Sequence, residues 1–334
     1  MRTLKEYKQQ AAKVAVKHKK IQSQISRADK NKKIKETDKV MQGGARKYPE
    51  PPLAKNHLTK PGVEKKLSLK PMYDAPYYKG SGKLQDMVAI ITGGDSGIGR
   101  SVAVFFAREG ADVSVIYLNE HSDAKETKQM VEKEGKECLL ISGDVSDKDF
   151  CKAAVKQTVD NFGKLNILVN NAAFQLHDSQ FEDLTEEHFD LTLKTNLYGY
   201  FFMAHAAVPF MEYGSAIVNT GSVTGIMGNK NLLDYSLTKG GIHAFTRSLG
   251  SHLIPKGIRV NAVAPGPVWT PLNPADKNKN DITKFGADAP MKRPAQPEEI
   301  APAYVFLASP QCSSYITGEI LPVIGGYNGG IIFG

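Results

Sequence analysis

Tyr235, Lys239 and Ser222 are the residues whose types and spacing best suit catalysis. Tyr235 and Lys239 are four positions apart in residues 234–249, a stretch that reads as a helix, so both side chains lie on one helix face. A phenol with a pKa of about 10 is a weak base at neutral pH, but a neighbouring ammonium favours the phenolate. The pair predicts general acid–base catalysis at an oxygen atom, with the Ser222 hydroxyl as hydrogen-bond donor to that oxygen.

A Tyr-x-x-x-Lys pair is not specific by itself, because it arises by chance about once in a few hundred residues of average composition. This chain has one such pair, and it begins 13 residues after Ser222. Ser222 follows residues 216–220, an expected buried strand, and ligands collect at strand ends in open parallel sheets. This placement favours a catalytic set over a surface Tyr–Lys pair.

A glycine-rich turn follows the first expected strand. Residues 92–99 read Thr-Gly-Gly-Asp-Ser-Gly-Ile-Gly, and a segment of helical period comes next. Glycines there permit a tight turn and let a pyrophosphate approach the amides and the positive dipole end of the helix. The spacing of Gly93, Gly97 and Gly99 differs from G-x-G-x-x-G, so a purely structural turn is the alternative. The position between a strand and a helix favours dinucleotide binding.

Short apolar runs alternate with amphipathic segments from about Lys83 onward. The runs are residues 87–92, 113–118, 138–142, 165–170, 216–220 and 259–264, with helical period in 100–109 and 147–161. This alternation predicts right-handed βαβ crossovers, and apolar strands predict burial on both faces. The expected fold is α/β, a doubly wound Rossmann-like parallel sheet of about seven strands with helices on both faces. Ser146 and Asp149 predict a capping box.

Four motifs in this order resemble those of the short-chain dehydrogenase/reductase family. They are the turn at 92–99, Asn-Asn-Ala-Ala at 170–173, Ser222 with Tyr235-x-x-x-Lys239, and Pro265-Gly266 after a later strand. The resemblance runs from about residue 84 to the C-terminus and is to the single-domain branch. The lead-in at 78–84 also resembles bacterial glucose/ribitol dehydrogenase-like, or general-stress-like, members. Membership implies an NAD- or NADP-dependent oxidoreductase that interconverts an alcohol and a carbonyl by hydride transfer.

The resemblance also implies roles for individual residues. Asn196 joins the catalytic set and positions a water beside Lys239, which in turn holds the nicotinamide ribose; on its own Asn196 would be an ordinary satisfied polar residue of a helix. Asn171 could likewise belong to a plain strand-end turn. The residues implied to contact the cofactor, besides Tyr235 and Lys239, are Gly93, Asp95, Ser96, Gly97, Ile98, Gly99, Tyr117, Leu118, Asp144, Val145, Asn171, Ala172, Pro265, Gly266, Val268 and Thr270.

The choice between NAD and NADP stays open. An NAD site usually has an acidic residue at the end of the second strand, where it binds the ribose 2′-hydroxyl. Residues 116–119 read Ile-Tyr-Leu-Asn, with neither an acid nor an arginine. The sequence therefore offers no barrier to a 2′-phosphate and no reason to prefer it.

Residues 271–294, between the Pro-Gly motif and the next helix, predict a lid over the substrate, called here the lid segment. It is rich in Lys, Asn and Asp, with Phe285 and Met291 as apolar contacts. A polar lid favours a sugar, a polyol or a small aldehyde or ketone over a steroid or a fatty acyl chain.

The basic character of the chain lies in its N-terminal part. Residues 1–80 hold 21 Lys and Arg against 7 Asp and Glu, whereas the whole chain has 43 against 35. Three regions are expected: a basic tail (residues 1–40) that heptad spacing makes helical, a Pro-, Tyr- and Gly-rich arm (41–82), and a dehydrogenase domain (83–334). The arm is expected either to wrap a neighbouring subunit or to be a disordered linker.

Two other functions are compatible with the sequence. Clustered lysines in the tail could tether the protein to an anionic membrane or nucleic acid, although a solvated tail is the favoured alternative. The chain could also be a cofactor-binding regulator without turnover, but it keeps both Tyr235 and Lys239. The family resemblance implies a homotetramer, with the Tyr235 helix and the apolar C-terminal segment (residues 325–334) at interfaces.

Three cysteines, Cys138, Cys151 and Cys312, give no disulfide framework and no zinc-site spacing. We therefore expect no bound metal and a cytoplasmic protein with reduced thiols. No stretch approaches the roughly 18 apolar residues of a membrane span, and the first 30 residues lack the apolar segment of a secretory signal.

Overall fold

The structure of the protein is a computed structural model that describes residues 13, 16–17, 19–24, 26–27, 39–178, 180–277 and 280–326. The chain forms two compact units, Met1–Lys39 and Val40–Gly334. In the first unit, the described residues between 13 and 27 are α-helical and exposed. The basic tail, on which the tethering hypothesis depends, lies mostly outside the described residues. The apolar C-terminal segment lies outside them from residue 327 onward.

The second unit contains the predicted α/β fold. All seven strands are parallel and follow the order β3-β2-β1-β4-β5-β6-β7. The strands are β1 Val88–Thr92, β2 Asp112–Tyr117, β3 Cys138–Ser142, β4 Leu165–Asn170, β5 Met211–Thr220, β6 Arg259–Pro265 and β7 Ile320–Val323. The order reverses between β1 and β4, and such a switch point opens a crevice at the carboxyl ends of the strands.

Helices cover both faces of the sheet. They are α1 Gly97–Arg108, α2 His121–Lys133, α3 Lys148–Phe162, α4 Glu186–Leu193, α5 Gly199–Ala207, α6 Thr224–Met227, α7 Leu233–Leu253, α8 Pro297–Ala308 and α9 Pro310–Ser313. A π-helical turn, Lys194–Tyr198, joins α4 to α5. Among the described residues, no helix is both long and apolar enough to cross a membrane.

Two apolar cores lie on opposite faces of the sheet because side chains alternate along each strand. Ala89 and Ile91 of β1 face one core, where α1 and α8 pack, whereas Ile90 faces the other, where α3, α5 and α7 pack. Every residue of β1 is buried. The run of apolar residues in β1 thus reflects burial on two faces, as the sequence predicts.

The arm packs against the same chain. Three of its leucines are buried: Leu53 packs on Trp269 and Ile282, while Leu58 and Leu67 pack on Ala275. Backbone hydrogen bonds join the arm to the lid segment, from the Leu53 amide to the Thr283 carbonyl (2.8 Å) and from the Leu58 amide to the Pro274 carbonyl (2.9 Å). The arm has no core of its own, and its leucines complete a small core beneath the lid segment.

The expected capping box at α3 is wrong. The N-cap residue is Asp147, whose carboxylate accepts hydrogen bonds from the amides of Asp149 (2.8 Å) and Phe150 (3.1 Å). Asp147 immediately precedes the helix and is itself a strong capping residue, so Ser146 lies one position outside it.

Candidate active site

A cavity of about 940 Å³ lies at the carboxyl ends of the central strands and reaches beneath the lid segment. Gly99 and Asn196 do not line it, but the other residues of the expected catalytic and cofactor-binding sets do. These are Gly93, Asp95, Ser96, Gly97, Ile98, Tyr117, Leu118, Asp144, Val145, Asn171, Ala172, Ser222, Tyr235, Lys239, Pro265, Gly266, Val268 and Thr270. The cavity therefore contains most of the residues to which the motifs point.

The glycine-rich turn needs glycine for conformation and for space. Gly93 and Gly97 have φ of +61° and +51°, in the left-handed region that favours glycine. A Cβ on Gly99 would lie 2.0 Å from the carbonyl oxygen of Gly93, so this glycine permits close contact between α1 and the turn. Gly99 supports the turn from inside the helix.

A carboxylate of the arm lies behind this turn. Glu64 accepts a hydrogen bond from the Gly97 amide (2.8 Å), and its other oxygen pairs with Arg100 Nη1 (2.8 Å). Arg100 also stacks over the ring of Tyr73, 4.9 Å from the ring centroid. The sequence gives no signal for Glu64 beyond one acid in a basic segment, because the contact spans more than thirty residues. The arm thus holds one of the amides at the start of α1.

Two carboxylates flank the end of β2. Burial and the negative charge of Glu120 raise the pKa of Asp95 to about 6. Burial, Asp95 and Glu120 together raise the pKa of Tyr117, the last residue of β2. Both acids line the cavity. The sequence shows no acid at the end of β2 itself, yet Asp95 from the glycine-rich turn and Glu120 from the start of α2 lie beside it in space.

Asn171 connects β4 to the glycine-rich turn. Its side-chain amide donates to the carbonyls of Thr92 and Gly93, both at 3.1 Å, and its backbone amide donates to Thr92 Oγ1 (2.9 Å). Thr220 Oγ1 of β5 donates to Asn171 Oδ1 (3.3 Å). Asn171 therefore joins the ends of three strands at the cavity, a more specific role than a plain strand-end turn.

Tyr235 and Ser222 both line the cavity and lie within hydrogen-bond distance of each other. Tyr235, in the first turn of α7, is 8% exposed, and Ser222 is 7% exposed. Burial raises the pKa of Tyr235 above its ordinary value, while a hydrogen bond with Ser222 lowers it and the charge of Asp276 raises it. The sequence predicts a lowered pKa for Tyr235. In the protein without cofactor the pKa is raised instead, because the effect of burial is larger than that of the hydrogen bond with Ser222. Ser222 Oγ is oriented by the Thr224 amide, which donates to it (3.1 Å).

Lys239 is fully buried one helical turn after Tyr235. Its Nζ donates to the carbonyl of Thr220 (2.7 Å) and lies 5.3 Å from the centroid of the Tyr235 ring. Burial lowers the pKa of Lys239 to about 7. The ammonium lies against the ring as the spacing predicts, and its position is set by β5.

Asn196 lies in the π-helical turn and is buried. Its Oδ1 accepts from the Phe174 amide (2.8 Å), and its Nδ2 donates to the Phe174 carbonyl (2.9 Å) and to Thr238 Oγ1 (3.1 Å). This side chain holds the loop after β4 and contacts α7 between Tyr235 and Lys239. It therefore acts on the site from outside the cavity.

The loop after β4 is joined to the lid segment through Asp276. That carboxylate accepts from the amide of His177 (2.6 Å) and from Gln175 Nε2 (2.6 Å), and it also contacts His177 Nδ1. Burial alone would raise the pKa of Asp276. The hydrogen bonds and the charge of His177 lower that pKa by more than burial raises it, so the net shift is downward. Phe285 lines the cavity as predicted, whereas Met291 does not.

No group of three or more His, Cys, Asp or Glu side chains within the described ranges could hold a metal ion. All three cysteines are free thiols, with Cys138 and Cys151 buried and Cys312 exposed.

Comparison with known proteins agrees with this geometry. The profile of the family described as "Enoyl-(Acyl carrier protein) reductase" matches residues 93–328. General stress protein 39 of Bacillus subtilis (strain 168) is 50% identical over 279 residues, covering 84% of this chain and 97% of that protein. A "Glucose and ribitol dehydrogenase" of Daucus carota is 48% identical over 274 residues, covering 80% of this chain and 94% of that protein.

A solved structure has the same fold. It is a short-chain dehydrogenase from Burkholderia cenocepacia J2315 in complex with NADP, 31% identical, with a TM-score of 0.68 over 73% of this chain and 98% of that one. The extent of the profile match, the identity to full-length relatives and the parallel seven-stranded sheet agree. The chain is thus an oxidoreductase that belongs to the short-chain dehydrogenase/reductase family.

Proposed function

We propose that the protein interconverts an alcohol and a carbonyl compound with NAD or NADP as cofactor. The observation that carries this proposal is the placement of Tyr235, Ser222 and Lys239 in the same cavity as the glycine-rich turn. A group that exchanges a proton at oxygen lies there within reach of a site for a dinucleotide. The cofactor-binding regulator hypothesis accounts for the turn but gives no use for Tyr235.

The residues of the cavity fit a dinucleotide. The left-handed Gly93 and Gly97 form a tight turn at the start of α1, where the helix dipole and the amides other than that of Gly97, which Glu64 already binds, favour a pyrophosphate. Tyr117, Leu118, Asp144 and Val145 would enclose the adenosine. Thr270 would contact the pyrophosphate, and the Val268 backbone would contact the carboxamide. The relative from Burkholderia cenocepacia, solved with NADP, supports this assignment.

In this reaction Tyr235 would exchange a proton with the substrate oxygen, while Ser222 donates a hydrogen bond that stabilises the charge developing there. When bound, the nicotinamide accepts or supplies the hydride at the substrate carbon and, in its oxidised form, adds a positive charge beside the phenol. Lys239 favours the phenolate and has one N–H donor left for a ribose hydroxyl, since the Thr220 carbonyl and the Tyr200 hydroxyl take the other two. Asn196 would position a water beside Lys239.

We propose a sugar, a polyol or a small aldehyde or ketone as substrate. The described part of the lid segment places polar side chains on the cavity, among them Asn273, Lys277 and Asp288, and the loop after β4 adds Gln175 and His177. The name of the Daucus carota relative points to the same class of compound.

Replacing Tyr235 with Phe tests the proposal directly. Tyr235→Phe removes only the hydroxyl, so we expect turnover to fall by about 10³ while the affinity for the reduced cofactor stays within about twofold. Initial rates come from nicotinamide absorbance with sugars, polyols and aldehydes, and affinity comes from fluorescence titration. The control is Tyr213→Phe, at an exposed tyrosine, which should behave as wild type. Full turnover in Tyr235→Phe would refute the catalytic role. If the wild-type protein binds cofactor but turns over none of these substrates, the hypothesis of a cofactor-binding regulator is favoured.

We further propose a cytoplasmic homotetramer. The free thiols are compatible with a reducing compartment. Exposed apolar side chains on α5 and α7 are compatible with a subunit interface that includes the Tyr235 helix.

A further inference from the structure

Lys60 belongs to the arm, yet it lines the same cavity as the candidate catalytic residues. Lys60, Pro61 and Gly62 all line the cavity together with Ser222 and Tyr235. Lys60 Nζ donates to the carbonyl of Gln175, and it lies 5.4 Å from the centroid of the Phe174 ring. These two residues follow the Asn-Asn-Ala-Ala motif at the end of β4. The ammonium therefore lies beside the loop after β4, which Asp276 joins to the lid segment.

The arm is anchored on both sides of Lys60. Leu58 precedes it and Leu67 follows it in the cluster with Ala275. Between them, Glu64 bonds to the Gly97 amide and pairs with Arg100. Gly62 has φ of +103°, in the left-handed region that favours glycine. A Cβ at this position would lie only 3.0 Å from Ala275 Cβ and 3.1 Å from the Pro271 carbonyl oxygen. Because its neighbours are held in this way, the position of Lys60 is set by the fold.

The ammonium of Lys60 has hydrogen-bonding capacity to spare. It carries three N–H donors, and within the part of the chain that the structure describes its one acceptor is the Gln175 carbonyl. It forms no ion pair with any described carboxylate. The nearest charge of opposite sign acting on it, Asp276, is bonded to Gln175 and His177. A cation withdrawn from water costs free energy unless further acceptors satisfy it, and the cavity side is where they can come from.

We propose that Lys60 is a substrate-binding residue that donates a hydrogen bond to a substrate oxygen away from the reacting carbon. This inference rests on the proposed function and specifies its substrate class: carbonyl compounds with a hydroxyl or carboxylate along their chain, in preference to plain alkyl aldehydes. Lys60 forms and breaks no covalent bond. The N-terminal arm thus supplies part of the substrate site, and Ser222 and Tyr235 bind the reacting oxygen.

The test compares Lys60→Met with three aldehydes of similar size: glyceraldehyde with hydroxyls, succinic semialdehyde with a carboxylate, and butanal with neither. Met has an unbranched side chain of similar length and no charge. We expect the KM for an oxygen-bearing substrate to rise about tenfold or more with kcat within about threefold, and the KM for butanal to stay within about twofold. Lys60→Arg should retain most of the affinity. The matched control, Lys55→Met, changes an exposed lysine of the same arm and should have no effect.

Each outcome decides the inference. A rise for glyceraldehyde alone assigns Lys60 to a neutral hydroxyl, and a rise for succinic semialdehyde alone assigns it to an anionic group. An equal rise for all three aldehydes would indicate a structural role and overturn the inference, as would no change. A measurement without turnover separates this result from the proposed function: calorimetric titration of glycerol and succinate into the enzyme with saturating oxidised cofactor. If Lys60→Met binds both as wild type does, Lys60 does not bind substrate, whatever the turnover.

Discussion

At the scale of single residues, Asp95 and Glu120 change what the sequence says about the cofactor. The end of β2 carries Tyr117, whose side chain is uncharged at neutral pH. In space, two carboxylates lie next to Tyr117 and raise its pKa. A 2′-phosphate has a charge of about −1.5 to −2 near neutral pH, so it would be repelled there, whereas a 2′-hydroxyl could donate to either carboxylate.

Neutralising one of these carboxylates should therefore improve the use of NADP. We expect Glu120→Gln to raise kcat/KM for NADP relative to NAD by roughly three- to tenfold, or about 1 kcal/mol. Burial and Glu120 raise the pKa of Asp95 to about 6, so below that pH Asp95 takes up a proton and discrimination should weaken, while above it the charge is present. The ratio of the two kcat/KM values at pH 5.5 and 8 measures both effects. Glu137→Gln, at an exposed acid, is the control; an unchanged ratio in Glu120→Gln would show that the 2′ position lies elsewhere.

The residues that the sequence reveals are those with local spacing. Tyr235 and Lys239 share a helix, and the glycines share a turn, so a few positions of sequence suffice to predict that they act together. Lys60, Glu64 and Glu120 were not predicted to belong to the site. Lys60 contacts Gln175 across more than a hundred residues, and only the folded chain brings such groups together.

At the scale of elements, the arm and the lid segment form one structure. The Trp269 indole donates to the Leu69 carbonyl (3.0 Å), and the Leu53 side chain packs between Trp269 and Ile282. The sequence predicts an arm and a lid as separate features. Their contact depends on single leucines in an otherwise polar, proline-rich stretch, which has no periodicity to reveal them. Because this packing holds the lid segment in place, we expect the lid segment to cover the cavity only while the arm is packed against it.

Removing one of these leucines should loosen the lid segment. Leu53→Ala leaves a cavity beside Trp269, so we expect the free energy of unfolding to fall by about 2–4 kcal/mol. We also expect the substrate KM to rise several-fold with little change in cofactor affinity. Denaturant unfolding and steady-state kinetics measure the two effects. Thr59→Ala, at an exposed position of the arm, should stay within about 0.5 kcal/mol of wild type; equal stability of both variants would show that the arm does not hold the lid.

The strands were the most predictable elements. The bounds of β3 and β4 agree with the sequence prediction at both ends, because apolar β-branched runs end where polar turn residues begin. β5 begins at Met211, five residues earlier than expected, since its first residues are largely exposed and lack the apolar signal. The short β7 has no distinct run of its own and was not located in the sequence.

At the scale of the whole molecule, the π-helical turn, α5 and α7 carry exposed apolar side chains that are called here the apolar patch: Tyr198, Phe201, Leu233 and Leu237. Phe201 is 49% exposed and Leu237 is 50% exposed. The ring centroids of Phe201 and Phe245 lie 6.5 Å apart, so α5 and α7 contact each other through aromatic side chains. Because Leu233 and Leu237 alternate along α7 with Tyr235 and Lys239, the helix has its catalytic face on one side and this patch on another. A second copy of the chain covering the patch would hold α7 in place and so support the site.

This arrangement predicts that assembly and activity fail together. Phe201→Glu places a charge in the patch, which a subunit interface could bury only at a cost of several kcal/mol. We expect light scattering to show a smaller particle than the wild-type protein gives, and we expect kcat to fall several-fold because α7 loses its support. Tyr213→Glu, at a side chain that is 89% exposed near the start of β5, should keep the wild-type mass and rate. If Phe201→Glu keeps the wild-type mass, the patch is not an interface, and if it dissociates with full activity, one subunit alone is sufficient to position Tyr235 and Lys239.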